Sequence, residues 1–61
     1  MTDEMFRKAE YYHRVHKTVM EQWTEGGMQD CWMDARGNLC IRYESGRWWH
    51  YKEREGCVEW W

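Results

Sequence analysis

The chain has 61 residues, of which 11 are aromatic and six are tryptophan, against one leucine, one isoleucine, three valines and one phenylalanine. Nine basic and 11 acidic side chains leave a net charge of −2, so the scarcity of aliphatics comes without the high charge and aromatic poverty of a disordered segment. A single ordered domain over 1–61 is expected, with a core of Trp, Tyr and Met; a chain this short buries only about 60% of the surface its unfolded form exposes, which makes self-association an early expectation.

Residues Thr2 to Glu25 carry Met5, Ala9, Tyr12, His16, Val19, Met20 and Trp23 at steps of three and four, the signature of one apolar helix face. Thr2 or Asp3 suits the N-cap, with Asp3 and Glu4 favourable at the positive end of the helix. Gly26-Gly27 is the expected stop, giving a helix over about 3–25. Glu4/Lys8 and Glu10/Arg14 stand at the four-residue spacing of helix-surface ion pairs.

After Gly27 the period changes. The triplets Ala35-Arg36-Gly37, Glu44-Ser45-Gly46 and Arg54-Glu55-Gly56 recur every nine or ten residues, the rhythm of a meander of short antiparallel strands. Four strands are expected, at about 28–34, 38–44, 47–53 and 57–61. Three-residue loops closing on a left-handed glycine suit the first two hairpins. They set Met33 opposite Leu39, Cys31 opposite Ile41, Asp30 opposite Arg42, Trp32 opposite Cys40 and Cys40 opposite His50. A two-residue loop in the second hairpin would bury Lys52. The third hairpin admits two registers: a three-residue loop pairs Trp49 with Trp61, whereas a two-residue Glu55-Gly56 loop pairs Tyr51 with Trp60 and Lys52 with Glu59 and is favoured because it keeps Val58 and Trp60 on the core side.

The expected architecture is α+β, one long N-terminal amphipathic helix packed on a three- to four-stranded antiparallel β-meander over about 28–61. Its core would be Met5, Tyr12, Val19, Trp23, Met33, Leu39, Ile41, Tyr43, Trp49, Tyr51 and Trp60. The polar tips of Tyr12, Tyr43 and Tyr51 suggest places at its rim.

The residues left outside that core carry the functional expectation. Trp32 and Trp48 project from the second sheet face among Arg42, His50 and Lys52, and Trp61 is expected to join them. One reading is that these rings only shield their cross-strand neighbours, since much of any folded surface is apolar. A second is a binding surface for a protein partner or a homodimer, because Trp, Tyr, Met and Arg are enriched at interface centres; the short last strand also offers an edge to a second copy. A third is single-stranded nucleic-acid binding, with the rings as stacking platforms and Arg42, Lys52, Arg47 or Arg54 on phosphates. The acidic balance, and Asp30, Asp34, Glu44, Glu53, Glu55 and Glu59 within the same sheet, weigh against the third reading.

Chemical motifs are sparse. Cys40 opposite His50 is a thiol-imidazole neighbour pair, but a two-layer domain of this size offers little concavity for catalysis, and a non-enzymatic domain is expected. His13 and His16 form an HxxH, and two ligands do not make a zinc site; His16 is expected instead to be a buried member of the helix stripe, bonded to a tyrosine or a carbonyl. No metal and no cofactor is expected. The basic stretch Arg7 to Lys17 reads as the solvated side of the helix. Met1 to Arg14 contains no apolar run long enough for a signal peptide, and nowhere does a run approach a membrane span. Three cysteines without CxxC spacing fit reduced thiols, so a cytoplasmic location without membrane contact is expected.

Overall fold

The computed structural model describes residues 3–61. Helix α1 (Asp3–Val19) is followed by strands β1 (Met28–Met33), β2 (Leu39–Tyr43), β3 (Trp48–Arg54) and β4 (Cys57–Trp60). The strands form one antiparallel sheet in the order β1-β2-β3-β4, covered on one face by α1. The architecture is the α+β helix-on-meander expected from the sequence, with every strand end within one residue of its expected place. The proposed Thr2 cap lies outside the described residues.

Turn chemistry fixes the register. Asp34 N–H donates to the Asn38 carbonyl at 2.9 Å and Tyr43 N–H to the Arg47 carbonyl at 2.9 Å, so each of the first two hairpins closes through a three-residue loop. Gly37 and Gly46, at φ 84° and 93°, take the last loop position, where a Cβ would be strained. Cys31 thus faces Ile41, Trp32 faces Cys40, Cys40 faces His50 and Arg42 faces Trp48. Glu55 and Gly56 both have positive φ, 52° and 80°, as a two-residue type I′ turn requires, and Tyr51 pairs with Trp60 and Lys52 with Glu59. One feature is absent from the sequence reading. A bulge between Met28 and Asp30 leaves Gln29 unpaired, so Met28 falls opposite Tyr43 and packs against the core although Asp30 points outward.

The helix ends six residues earlier than the expected 25, and the reason lies in Trp23. Continued as helix, Trp23 would stand about 10 Å along the axis from His16, yet the two rings are 5.0 Å apart. The chain therefore leaves the helix after Val19 and folds back, laying Trp23 against His13, His16 and Tyr43 with its Nε1–H on the Gly26 carbonyl at 2.7 Å. Val19, placed in the core by periodicity alone, is 65% exposed as a result. Met33, also expected in the core, is 51% exposed: it lies on the core face by register but at the end of β1, where it lines an open groove with Lys8 and Tyr12 of α1.

The buried centre consists of Ala9, Tyr12, Cys31, Leu39, Ile41, Tyr43 and Tyr51, with Met5, Trp23, Met28, Trp49, Val58 and Trp60 packed around it. The three tyrosines are not at the rim. Tyr43 and Tyr51 are fully buried and their hydroxyls bond each other at 2.7 Å, while Tyr51 also bonds His16 Nδ1 at 2.7 Å. Tyr12 stacks on Tyr51, the ring centroids 5.7 Å apart, and donates its hydroxyl to Glu53 at 3.2 Å. Polar tips that would otherwise have to reach water are thus satisfied internally. His16 is, as expected, a buried and hydrogen-bonded member of the stripe.

Candidate functional site

The sheet face turned away from α1 is built in rows that cross the strands. Trp32, Cys40, His50 and Trp61 form the central row, since β1 pairs with β2, β2 with β3, and His50 and Trp61 exchange backbone hydrogen bonds of 3.0 and 3.2 Å. Asp30, Arg42 and Trp48 form the row on one side, and Asn38, Lys52 and Glu59 follow from the same pairings on the other. Strand alternation places every second residue here, which is why the residues singled out from sequence, Trp32, Arg42, Trp48, His50, Lys52 and Trp61, arrive on one face.

Their rings form a chain of contacts. Trp32 lies 5.5 Å from Trp48, Trp48 lies 4.9 Å from His50, and His50 is stacked on Trp61 at 5.0 Å with an interplanar angle of 4°. Trp48 and Trp61 remain 48% and 53% exposed. Beneath the rings Cys40 is wholly buried, although it faces away from the helix. The aromatic row therefore does shield a cross-strand neighbour, and it still leaves two large rings half in water.

The charges on this face come in both signs. Arg42 reaches Asp30 at 3.6 Å, and Lys52 stands opposite Glu59. Arg47, a candidate phosphate contact, instead packs its guanidinium over Trp49 at 5.1 Å, with Glu25 at 3.9 Å. The helix side carries exposed apolar groups of its own, Phe6, Tyr11, Val19 and Met20.

At one end of the central row the hairpin loop between β1 and β2 adds Asp34, a residue that sequence reasoning treated only as background acidity. Its Oδ1 accepts the N–H groups of Arg36 at 2.9 Å and Asn38 at 2.8 Å, and its Oδ2 accepts from the Asn38 side chain at 3.3 Å. These bonds, that from the Asn38 amide foremost, hold the carboxyl below its usual range. Oδ2 lies 4.0 Å from His50 Nε2. The Asp-x-x-Gly-Asn spelling of the loop is the signal that would have found it, since an aspartate opening a turn characteristically captures the amides that follow. Cys40 completes the group: a carboxylate oxygen of Asp34, the Cys40 Sγ and a ring nitrogen of His50 all lie within 4.8 Å of one another. Burial, with Asp34 second, pushes the Cys40 thiol up. An open groove of about 300 Å³, lined by Asp34, Ala35, Arg36, Asn38, His50 and Trp61, runs alongside.

Among the described residues no helix is long and apolar enough to cross a membrane. Comparison with protein-family models, with curated proteins and with solved structures finds no match.

Proposed function

We propose that the domain works by binding rather than by catalysis, and that its outer sheet face is a self-association surface on which two copies pack Trp32, Trp48 and Trp61 against one another. The observation that carries this reading is the continuous row of rings on the uncovered face, with Trp48 and Trp61 each about half exposed. Aromatic side chains that are half-buried in the monomer lose little conformational freedom when a partner covers them. A second copy suits the face because both signs of charge flank the rings, Asp30 with Arg42 on one side and Lys52 with Glu59 on the other. A two-fold axis through such a face sets a patch against itself, which requires self-complementarity. The bulge at Gln29 twists the β1 edge and disfavours association by strand addition there.

Two features support binding over other activities. A cysteine nucleophile needs a lowered thiol pKa, and that of Cys40 is raised. Phosphate contact is weakened where the cations are already engaged, and Arg42 and Arg47, two of the four candidates, each have a carboxylate beside them.

Sedimentation equilibrium over a concentration series tests the proposal. The expected mass rises from the 7.7 kDa monomer towards twice that value, and Trp48→Ala and Trp32→Ala shift the midpoint to higher concentration. A parent chain that stays monomeric throughout would rule the proposal out. Salt-sensitive quenching of tryptophan fluorescence by a single-stranded oligonucleotide, without any mass increase of the free protein, would transfer the face to the nucleic-acid reading.

A further inference from the structure

The group formed by Asp34, Cys40 and His50 shares only His50 with the row of rings proposed above for association, and it has the composition of a metal site. We infer that these three side chains bind one Zn²⁺ ion per chain, with the fourth tetrahedral position open to water from the adjoining groove. A thiolate, an imidazole and a carboxylate are the ligand types zinc takes, and three protein ligands with one open position is a recurrent arrangement for it.

The geometry supports each ligand in turn. His50 Nδ1 lies 3.1 Å from the Trp61 carbonyl oxygen. A carbonyl only accepts, so Nδ1 carries the hydrogen and Nε2 presents its lone pair, the nitrogen that faces Asp34 at 4.0 Å. A ring N–H donated to a backbone carbonyl is the outer support that metal-binding histidines characteristically have. Stacking on Trp61, at an interplanar angle of 4°, fixes the ring plane as well. Asp34 is held through Oδ1 by two loop amides, and its Oδ2, which accepts the Asn38 side-chain amide at 3.3 Å, lies 4.0 Å from the histidine with further lone-pair capacity. Cys40 lies between Trp32 and His50 on the central row, its sulfur covered by the rings.

Bond lengths of about 2.0–2.3 Å to zinc put tetrahedral ligand atoms roughly 3.3–3.7 Å apart. The three atoms already lie within 4.8 Å, so side-chain rotations that close the triangle by about 1 Å suffice. On binding, a Zn–S bond forms, the Cys40 thiol gives up its proton to solvent, and the ion loses water molecules to the imidazole and the carboxylate. The other histidine pair is poorly suited to compete, because His16 Nδ1 is engaged with the Tyr51 hydroxyl.

Co²⁺, which reports its geometry optically, is the probe. Titrated into the reduced chain, it should saturate at one ion per chain with tetrahedral visible bands and a near-ultraviolet thiolate charge-transfer band, and Zn²⁺ should displace it. Cys40→Ser should abolish the charge-transfer band, and Asp34→Asn and His50→Gln should weaken binding at least about tenfold. Cys57→Ser should leave the spectrum unchanged. Circular dichroism identifies the variants that remain folded. Asp34→Asn, which keeps the acceptor for the loop amides, serves where Cys40→Ser does not fold. The inference fails if no thiolate band forms, if the band survives in a folded Cys40→Ser chain, or if folded Asp34→Asn and His50→Gln bind like the parent. The readout is ions per chain, so a chain that binds cobalt as a monomer would uphold this inference while removing the association proposal.

Discussion

Replacing Tyr51 by phenylalanine removes a single oxygen from the middle of a buried chain of two hydrogen bonds, Tyr43 to Tyr51 and Tyr51 to His16, each 2.7 Å long. Tyr43, Tyr51 and His16 are all at most 1% exposed, so neither surviving partner gains access to water. Leaving a buried polar group unsatisfied costs about 1–3 kcal/mol, and two are left, giving about 2–6 kcal/mol for Tyr51→Phe. Tyr43→Phe removes only the end of the chain and leaves Tyr51 bonded to His16, for a loss of about 1 kcal/mol. The double variant separates this reasoning from simple loss of contacts. With Tyr51 already phenylalanine, the Tyr43 hydroxyl is a buried orphan, and deleting it should restore about 1–3 kcal/mol. Urea denaturation of the three variants measures the order, and thermal melting should register it at roughly 4–8 °C per kcal/mol for a domain of this size. A double variant less stable than Tyr51→Phe alone, or a Tyr43→Phe variant as damaged as Tyr51→Phe, would refute the network as the organiser of the core.

Three further outcomes follow from the same geometry. Burial lowers the pKa of His13 and His16 below 6.5, with Lys17 acting further on His13, His13 acting on His16, and Glu25 partly opposing the shift at His16. Between the folded pKa values and 6.5 the unfolded chain binds more protons, so this stabilisation is complete above pH 6.5 and declines as pH falls below it. The depressed carboxyls of Glu25 and Asp34 lose their contribution only below their ordinary values of 4.5 and 3.8, so a urea midpoint that stays flat from about pH 7.5 to 5 contradicts the histidine assignment. Glu55 holds φ 52° in a type I′ turn; Glu55→Asn should raise stability by roughly 0.5–1 kcal/mol, and a lower melting temperature would speak against that turn. Trp49 packs against the core, with its ring 4.9 Å from His16, so Trp49→Ala should cost about 3 kcal/mol and Trp48→Ala less than about 1 kcal/mol, and reversed costs would show that the two faces of β3 are exchanged.

The sheet could be read from the sequence because its information is local and redundant. Gly37, Gly46 and Gly56 mark the turns, and only the three-residue loop in the second hairpin keeps Lys52 in water while Leu39 and Ile41 stay inside. What escaped depends on contacts between distant residues. The end of α1 is set by Trp23 folding back on His16 and Tyr43, against the local helical preference of residues 20–22, so periodicity overran it to Glu25 and took Val19 with it. The depth of Tyr43 and Tyr51 depends on each supplying the other's hydrogen bond, which their spacing does not reveal. Trp32, Arg42, Trp48, His50, Lys52 and Trp61 were found by alternation and do share a face, whereas Asp34 joins Cys40 and His50 only because its loop turns the carboxylate back over the sheet.

Amide chemical shifts followed by two-dimensional NMR across a dilution series test most directly whether the outer sheet face is where the chain meets its own copy. Concentration-dependent shifts should concentrate at Trp32, Arg42, Trp48, His50 and Trp61, together with the indole N–H signals of Trp48 and Trp61. Spectra that do not change with dilution, or shifts confined to the exposed Phe6 and Tyr11 on α1, would contradict the proposal.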